Sequence, residues 1–312
     1  MSAIVEAAEI LAQRAHGRVA QDAPLAALTS YRLGGPAGVL LEAAAEDDLA
    51  ALADAVRATR LPVLVVGRGS NMLISDRGYE GIAVRLGAGF RWNRVEGTRI
   101  HAGAAMPLPS LAMLALQNQL TGFEFSVAIP ASLGGAVRMN AGAHGHEIAE
   151  VLDRARVFRI DTGATEQVTA SDAGFSYRTS SLPASSIVTS ASLLLRRGEP
   201  SAITALMDEA KEWRRSTQPI NLPNGGSVFK NPPGDFAARL VDEVCGKGTA
   251  VGGARISDVH ANFIVAEPTA RASDVYRLIR MIQDRVRDAT GVTLEPELKL
   301  IGDFEEDEDV PT

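Results

Sequence analysis

Residues Val63–Gly81 read VLVVGRGSNMLISDRGYEG, and this stretch decides how the rest of the chain is interpreted. The apolar, β-branched run Leu61–Val66 predicts a short strand buried on both faces. The next segment, Gly67–Asn71, contains two glycines, a serine and an asparagine. Such a turn can present several backbone N–H groups to one anion, and it predicts a loop that binds a diphosphate. An ordinary glycine-rich turn between strands is the alternative, and the third glycine of the G-x-G-x-x-G dinucleotide fingerprint is missing.

Length and composition limit the classes of protein. A chain of 312 residues with 46% hydrophobic residues suggests two or three domains with real cores. The single cysteine, Cys245, excludes a disulfide framework and a multi-cysteine metal site. No apolar run approaches the roughly 20 residues of a membrane span, and the N-terminus is acidic where a signal peptide is basic. We therefore expect a cytoplasmic protein without membrane insertion.

The formal charge of -7 is concentrated at one end of the chain. Six acidic residues lie between Asp303 and Asp309, so the rest of the chain is nearly neutral. No basic stripe for nucleic acid is present, and the acidic tail is expected to be a frayed, solvated end.

Periodicity predicts a mixture of helices and strands in three regions, 1–86, 87–200 and 201–312. Helices are predicted at 3–15, 46–59, 107–119, 235–244 and 273–289, together with one helix capped by Ser201. Strands are predicted at 37–43, 99–103, 152–160, 187–195, 261–266 and 293–301. Alternation along the last strand places Glu295, Glu297 and Lys299 on one side.

A second glycine-rich passage, Ile129–Gly145, reads IPASLGGAVRMNAGAHG. Its small residues would let backbone approach a ligand closely, and close packing of a turn on a sheet is the alternative.

Six segments in the same order resemble the UDP-N-acetylenolpyruvoylglucosamine reductase (MurB) family, flavoenzymes of cell-wall precursor synthesis. They are GRGSNMLISDRGYEG, IPASLGGAVRMNAGAHGHE, FSYRTSSL, GGSVFKNP, SDVHANFIVAE and EPELKLIG, and the resemblance covers the chain from about Thr29 to Gly302. The resemblance implies an α+β fold, with a two-lobed FAD-binding domain of the MurB type at 1–86 and 87–200. A C-terminal α+β substrate domain with the acidic tail would follow at 201–312. The chain is similar to the shorter type of member, because it has no insertion carrying an extra tyrosine between Leu195 and Ser227.

The resemblance also implies the ligands. FAD is the cofactor and NADPH the transient hydride donor, and the substrate is UDP-N-acetylglucosamine enolpyruvate. Since no Rossmann-type site is recognisable, NADPH and substrate would use one pocket in alternation, and no metal is expected. The residues implied to bind FAD are Gly67, Arg68, Gly69, Ser70, Asn71, Ser132, Gly134, Gly135, Asn140 and Gly142.

Three residues match the family's catalytic positions. Arg178 would hold the substrate carboxylate as charge builds on it, because a guanidinium is planar and permanently charged. Ser227 would donate a proton to carbon from a turn built by two glycines. Glu297 is expected to be protonated beside the substrate carboxylate and to donate a hydrogen bond. Taken singly, each has an ordinary alternative: a surface arginine, a turn serine and a strand glutamate.

Four further residues are implied to contact substrate: Arg215, Lys230, Asn231 and Lys299. Arg215 equally suits the dipole at a helix C-terminus. The chain departs from the family pattern at Ala131, where glycine is common, at His144, where tyrosine is common, and at Lys299, where arginine is common.

Two other functions remain open from the sequence. A flavin enzyme of the wider superfamily could act on another small substrate, although the set of Arg178, Ser227 and Glu297 argues against it. A non-catalytic nucleotide-sugar binding protein is the third interpretation. The complete loop around Ser227 in GGSVFKNP, called the serine loop below, argues against it.

Overall fold

The computed structural model describes residues 2–304. The acidic residues 305–309, for which the sequence predicts a frayed tail, lie outside this range. The described chain forms two compact units. The first unit contains residues 2–22, Gly38–Arg68 and Glu80–Trp213, and the second contains Ala23–Ala37, Gly69–Tyr79 and residues 214–304. No helix in the described range is long and apolar enough to cross a membrane.

Helices and strands alternate irregularly along the chain, as the α+β class predicts. The α-helices are α1 (Ala3–Arg14), α2 (Glu46–Thr59), α3 (Leu108–Gln117), α4 (Leu133–Met139), α5 (Pro200–Thr217), α6 (Ala237–Val244) and α7 (Ala272–Thr290). The strands are β1 (Arg18–Pro24), β2 (Pro36–Ala43), β3 (Val63–Val65), β4 (Met72–Ile74), β5 (Tyr79–Leu86), β6 (Asn93–Glu96), β7 (Arg99–Gly103), β8 (Leu120–Thr121), β9 (Gly142–Ala143), β10 (His146–Glu147), β11 (Leu152–Arg159), β12 (Thr165–Thr169), β13 (Ser186–Leu194), β14 (Arg196–Arg197), β15 (Ala250–Val251), β16 (Ala254–Ile256), β17 (Ile264–Ala266) and β18 (Lys299–Ile301).

The first sheet of the first unit has the strand order β1-β2-β5-β3. Strand β3 pairs only with β5, in parallel, with Val63 opposite Ile82. The prediction that this strand is buried on both faces is therefore wrong. Strand β3 lies at the edge of the sheet, where Leu64 is buried and Val65 is 36% exposed. Helices α1 and α2 supply the apolar side chains that cover this sheet, including Leu11, which is fully buried.

A single carboxylate holds the start of α2. Asp48 is fully buried and accepts hydrogen bonds from the backbone N–H groups of His16, Gly17 and Ala44, at 2.6, 3.1 and 2.5 Å. A buried carboxyl group is tolerated because these donors replace the water it has lost.

The second sheet of the first unit is antiparallel, with the order β12-β11-β13-β7-β6. Its central strand, β13, carries Val188, Ala191 and Leu193 into the core shared with α3 and α4. Helix α4 was not predicted, because the glycines of Ile129–Gly145 favour a turn. Gly134 lets this helix pack closely on the sheet, because a Cβ on it would lie 3.3 Å from the carbonyl oxygen of Val188 in β13 and 2.9 Å from the Cβ of Ala104, just after β7.

The second unit is organised around α7. The stripe Val275, Leu278, Ile279, Ile282 and Val286 is buried, as its helical spacing predicts. Strands β15, β16 and β17 pack against the same core, and β18 pairs in parallel with β4, with Leu300 opposite Leu73.

Asp76, just after β4, connects that strand to the N-terminus of α7 by hydrogen bonds. Its carboxylate oxygens accept from the N–H groups of Ala272 and Ser273, both at 2.9 Å, which satisfies two donors at the helix N-terminus.

Most predicted elements are confirmed, and the differences have local causes. Helix α2 has the predicted bounds, and α1, α3, α7, β7, β11 and β13 agree within two residues. Ser201 does not cap α5, which begins at Pro200. The predicted strand at 293–301 is mostly irregular, because only Lys299–Ile301 pairs with β4, while Pro296 forms an isolated bridge to Phe229. The three predicted regions 1–86, 87–200 and 201–312 stay a prediction.

Candidate active site

In the first unit, three predicted cofactor residues face one another. A Cβ placed on Gly67 would lie 2.8 Å from Ser132 Oγ, and one on Gly135 would lie 3.4 Å from the same oxygen. Ser132 precedes α4 and is 6% exposed, and its side chain makes no capping hydrogen bond to the helix. The missing side chain of Gly67 therefore leaves a small polar space beside the Ser132 hydroxyl.

Asn140 and Gly142 lie close to the predicted catalytic arginine of the same unit. Asn140 is fully buried with φ +44°; its Nδ2 donates to the carbonyl of Ser176 at 3.1 Å, and its Oδ1 accepts from Ala149 N at 3.0 Å. The structure thus gives Asn140 a framework role, and direct contact with FAD stays a prediction. A Cβ on Gly142 would lie 3.0 Å from Arg178 Nη1, so this glycine leaves room for the guanidinium.

Arg178 lies at the tip of a tight turn. The backbone N–H groups of Ser176 and Thr179 each donate to the other residue's carbonyl at 3.1 Å, and Arg178 between them has φ +59°. For a residue with a side chain this left-handed conformation costs on the order of 1 kcal/mol. Backbone strain of this kind concentrates at functional positions. The guanidinium lies 5.0 Å from the ring centre of Tyr177, and Asn140 anchors the start of the turn through Ser176.

The predicted diphosphate loop Gly67–Asn71 is called the cofactor loop below. Its second half, Gly69–Asn71, belongs to the second unit and lies beside the segment that precedes β2. Gly69 has φ +62°, and a Cβ there would overlap the carbonyl oxygen of Leu28. This position requires glycine both for its conformation and for the close approach of the chain's own backbone.

The predicted proton donor, Ser227, lies in a loop held from several directions within the second unit. The loop begins with Asn224, whose Oδ1 accepts from Gly226 N at 2.9 Å and shapes the turn. After the serine, Val228 N donates to the carbonyl of Asn262 at 2.9 Å, and Asn262 Nδ2 donates to the carbonyl of Phe229 at 2.8 Å.

Asn262 is 5% exposed and belongs to the SDVHANFIVAE segment. The segment is part of the family resemblance, but no sequence pattern predicts that the Asn262 side chain bonds the backbone of the serine loop.

Glu297 lies next to both the serine loop and the cofactor loop. Its N–H donates to the carbonyl of Val228 at 2.8 Å, and its carbonyl accepts from Asn71 Nδ2 at 3.2 Å. A Cβ on Gly226 would lie 3.7 Å from the carbonyl oxygen of Ser70. The second unit therefore brings together Ser227, Glu297 and the second half of the cofactor loop, residues that are distant in the sequence.

The four predicted substrate residues differ in what they contact. Lys230 Nζ pairs with Glu295 Oε1 at 2.5 Å, and Asn231 Oδ1 accepts from Ala237 N at 3.1 Å, at the start of α6. Lys299 is exposed and opens β18. Arg215 lies in the last turn of α5, a position that also suits the alternative role of a positive charge at the C-terminal end of the helix dipole.

The departures from the family pattern fit their surroundings. Ala131 is absent from the described residues with positive φ, so its methyl group causes no backbone strain. His144 has φ +53°, and its ring packs edge-to-face on Trp213 with the ring centres 5.0 Å apart. Within residues 2–304, no group of three or more His, Cys, Asp or Glu side chains is arranged to hold a metal ion.

Comparison with known proteins decides the family. Residues 37–169 match the family model of an FAD binding domain, and residues 218–301 match that of the UDP-N-acetylenolpyruvoylglucosamine reductase C-terminal domain. A UDP-N-acetylenolpyruvoylglucosamine reductase of Anaeromyxobacter sp. (strain Fw109-5) is 42% identical over 94% of this chain and 91% of its own. The chain belongs to the UDP-N-acetylenolpyruvoylglucosamine reductase family.

Other reductases of this family agree. Reductase 1 of Bacillus thuringiensis subsp. konkukian is 40% identical over 92% of this chain and 95% of its own. The crystal structure of the Thermus caldophilus reductase (MurB) superposes with a TM-score of 0.80 at 36% identity, covering 92% of this chain and 99% of that one. The resemblance inferred from six segments is confirmed, as is the predicted α+β fold with a flavin-binding domain and a reductase C-terminal domain.

Proposed function

We propose that this chain is an FAD-dependent enzyme that uses NADPH to reduce UDP-N-acetylglucosamine enolpyruvate to UDP-N-acetylmuramate. This reaction belongs to the synthesis of peptidoglycan precursors, and we place it in the cytoplasm. Family membership supports the reaction. The observation that carries the assignment of residues is the meeting, in the second unit, of Ser227, Glu297 and the loop carrying Asn71.

The residues present fit FAD. The space that a Cβ on Gly67 would fill, bordered by Ser132 Oγ at 2.8 Å, suits close approach of a diphosphate to backbone. Gly67–Asn71 would hold the diphosphate, and within the first unit Ser132 lies beside Gly67. When bound, FAD supplies hydride chemistry that the twenty side chains cannot perform.

Arg178 has the electrostatic role. Hydride addition to the terminal carbon of the enolpyruvyl group leaves negative charge that the adjacent carboxylate delocalises. A guanidinium can hold both carboxylate oxygens with paired hydrogen bonds, and its charge does not titrate. The strained turn at Ser176–Thr179 supports this role, since a rigid turn fixes the direction of the side chain.

Ser227 has the role of proton donor to the adjacent carbon. A hydroxyl is a weak acid, so it works only when it is well positioned. The loop from Asn224 to Phe229 meets this need, because hydrogen bonds to Asn262 hold the residues that follow Ser227 and Asn224 shapes the turn before it. Glu297 is held next to Ser227, because its backbone N–H donates to the carbonyl of Val228. From this position its carboxyl group would donate a hydrogen bond to the substrate.

The visible spectrum of the purified protein tests this function. A flavin spectrum that NADPH bleaches, and that the enolpyruvyl sugar nucleotide restores, would support it. Bleaching without recovery would favour a flavin enzyme with another substrate. A colourless protein that fails to take up added FAD would contradict both enzyme readings and favour a binding protein.

A further inference from the structure

Ser30 lies in the segment Thr29–Pro36, which reads TSYRLGGP, and it contacts both functional loops of the second unit. Its Oγ donates to the carbonyl of Asn224 at 2.6 Å, and its backbone N–H donates to the carbonyl of Gly69 at 3.0 Å. The hydroxyl also lies 3.3 Å from the Gly69 carbonyl. A hydroxyl has one proton, and the shorter distance assigns it to Asn224. The side chain of Ser30 therefore bonds the serine loop, and its main chain bonds the cofactor loop.

Asn224 is the residue through which Ser30 can act on the serine. Its side chain already shapes the turn, with Oδ1 accepting from Gly226 N and Nδ2 donating to the carbonyls of Pro219 and Leu222 at 3.1 and 2.8 Å. Gly225, which follows, packs against the ring of Tyr31 so closely that a Cβ would overlap the ring. Consecutive residues of one segment, Ser30 and Tyr31, thus hold the backbone just before Ser227.

The same segment is fixed on its other side. Thr29 is buried, and its Oγ1 lies within hydrogen-bonding distance of the carbonyls of Ala26 and Leu33, at 3.1 and 3.2 Å, so that its one proton has an acceptor in either direction. Tyr31 is 1% exposed within the core of the second unit. Ser30 is therefore carried on a rigid support, as a residue that positions another must be.

We propose that Ser30 is a positioning residue for the reduction of the olefin: its hydroxyl holds the Asn224 end of the serine loop in register with the loop at Gly69. The inference rests on the proposed role of Ser227 as proton donor. Because the backbone N–H of Ser30 remains when the hydroxyl is removed, the two loops are predicted to respond differently to Ser30→Ala.

The test compares Ser30→Ala with Ser30→Thr, which keeps the hydroxyl, and with Ser126→Ala as the matched control. Ser126 is buried in the first unit, and its Oγ donates to the carbonyl of Phe123 at 2.7 Å. In Ser30→Ala, substrate-dependent recovery of the flavin spectrum should slow about threefold to tenfold, the range that one lost hydrogen bond gives. FAD affinity, measured by fluorescence titration, and bleaching by NADPH should stay within about twofold. In Ser30→Thr and in Ser126→Ala, the flavin spectrum should recover at the rate of the unsubstituted protein.

A second measurement separates the positioning role from the role of Ser227. Amide hydrogen exchange across residues 219–229 should be faster in Ser30→Ala, because Gly226 N depends on the placement of Asn224. Unchanged exchange there, an unchanged recovery rate, or an FAD affinity that falls as much as the rate would overturn the inference. Normal recovery in Ser227→Ala would instead overturn the proton-donor assignment, while the exchange measurement would still decide whether Ser30 holds the loop.

Discussion

At the scale of single residues, Arg178 and Ser227 show two ways of fixing a side chain. Arg178 has φ +59° at the tip of a two-bond turn, so its direction is set by a backbone that few residues adopt. Ser227 has no such strain, because it is not among the described residues with positive φ; in the loop Asn224–Phe229 that conformation falls on a glycine, Gly226. Its position depends on bonds made by neighbours, chiefly Asn224 and Asn262.

Replacing Arg178 with lysine should impair the reaction although the charge is kept. Paired hydrogen bonding to the carboxylate is lost, which should cost about 2 to 4 kcal/mol in the transition state. Stopped-flow recovery of the flavin spectrum with substrate measures this loss. Arg154→Lys is the control, since Arg154 is an exposed arginine of β11 that pairs with Asp153. An equal recovery rate in both variants would make Arg178 a structural residue only.

Removing the hydroxyl of Ser227 should separate the two halves of the reaction. Reduction by NADPH needs no protonation of carbon, so Ser227→Ala should stay yellow and be bleached at nearly the normal rate. Recovery with substrate should stall, because water is a poor substitute for a positioned donor. Ser227→Cys should regain part of the rate, since a thiol is a stronger acid. Recovery of the alanine variant within about 1 kcal/mol of normal in barrier terms would mean that the proton comes from elsewhere.

At the scale of elements, the loop Gly67–Asn71 contains two glycines with different needs. Gly67 faces Ser132 Oγ, a side chain that can move, whereas Gly69 faces the fixed carbonyl of Leu28. Gly67→Val should therefore fold and bind FAD at least about tenfold more weakly, because the side chain occupies the space beside Ser132. Gly69→Val should also lose stability. Fluorescence titration and thermal unfolding measure the two effects, and full FAD occupancy in Gly67→Val would contradict the assignment of the loop.

The start of α7 gives a prediction about pH. Burial acts to raise the pKa of Asp274, but N–H groups of Arg271 and Gly253 and the guanidinium of Arg277 outweigh it and lower the pKa below its ordinary value of 3.8. A lowered pKa in the folded state stabilises the protein above the unfolded value, and this stabilisation is lost as the pH falls through the folded value.

Asp274→Asn should therefore lower the free energy of unfolding by about 1 to 2 kcal/mol at neutral pH. The difference from the unsubstituted protein should shrink as the pH falls below 3.8. Urea unfolding over a pH series measures it. Asp284→Asn, on the exposed face of α7, should have little effect at any pH. A difference for Asp274→Asn that grows in acid would show that the sign is wrong.

At the scale of the whole molecule, the packed chain continues to Phe304. Phe304 is 5% exposed and stacks on Tyr276 with the ring centres 4.8 Å apart, in the core of the second unit. Ending the chain after Phe304 removes only residues 305–312 and should leave activity and stability intact. Ending it after Gly302 should lower the free energy of unfolding by about 3 kcal/mol or more, because an aromatic core residue is lost. A large loss of activity from the shorter deletion would show that the acidic tail has a functional contact.

Local pattern was sufficient for the elements whose own periodicity decides them. Helix α2 and the buried stripe of α7 follow from apolar spacing alone, because a helix with one apolar face has one way to bury it. Motif residues such as Gly69 were also readable, since a left-handed conformation or a close approach demands glycine wherever the chain goes next.

Tertiary structure alone decided the remaining features. Helix α4 lies in a glycine-rich passage and packs its Gly134 closely on β13, and β3 is an edge strand because of the order in which strands pair. Ser30 and Asn262 gain their roles from backbone carbonyls of the serine loop, and Ser30 is 194 positions from the residue it holds. No local pattern encodes such contacts, because the partner is a main-chain group that every residue carries, and only the fold determines which one comes within reach.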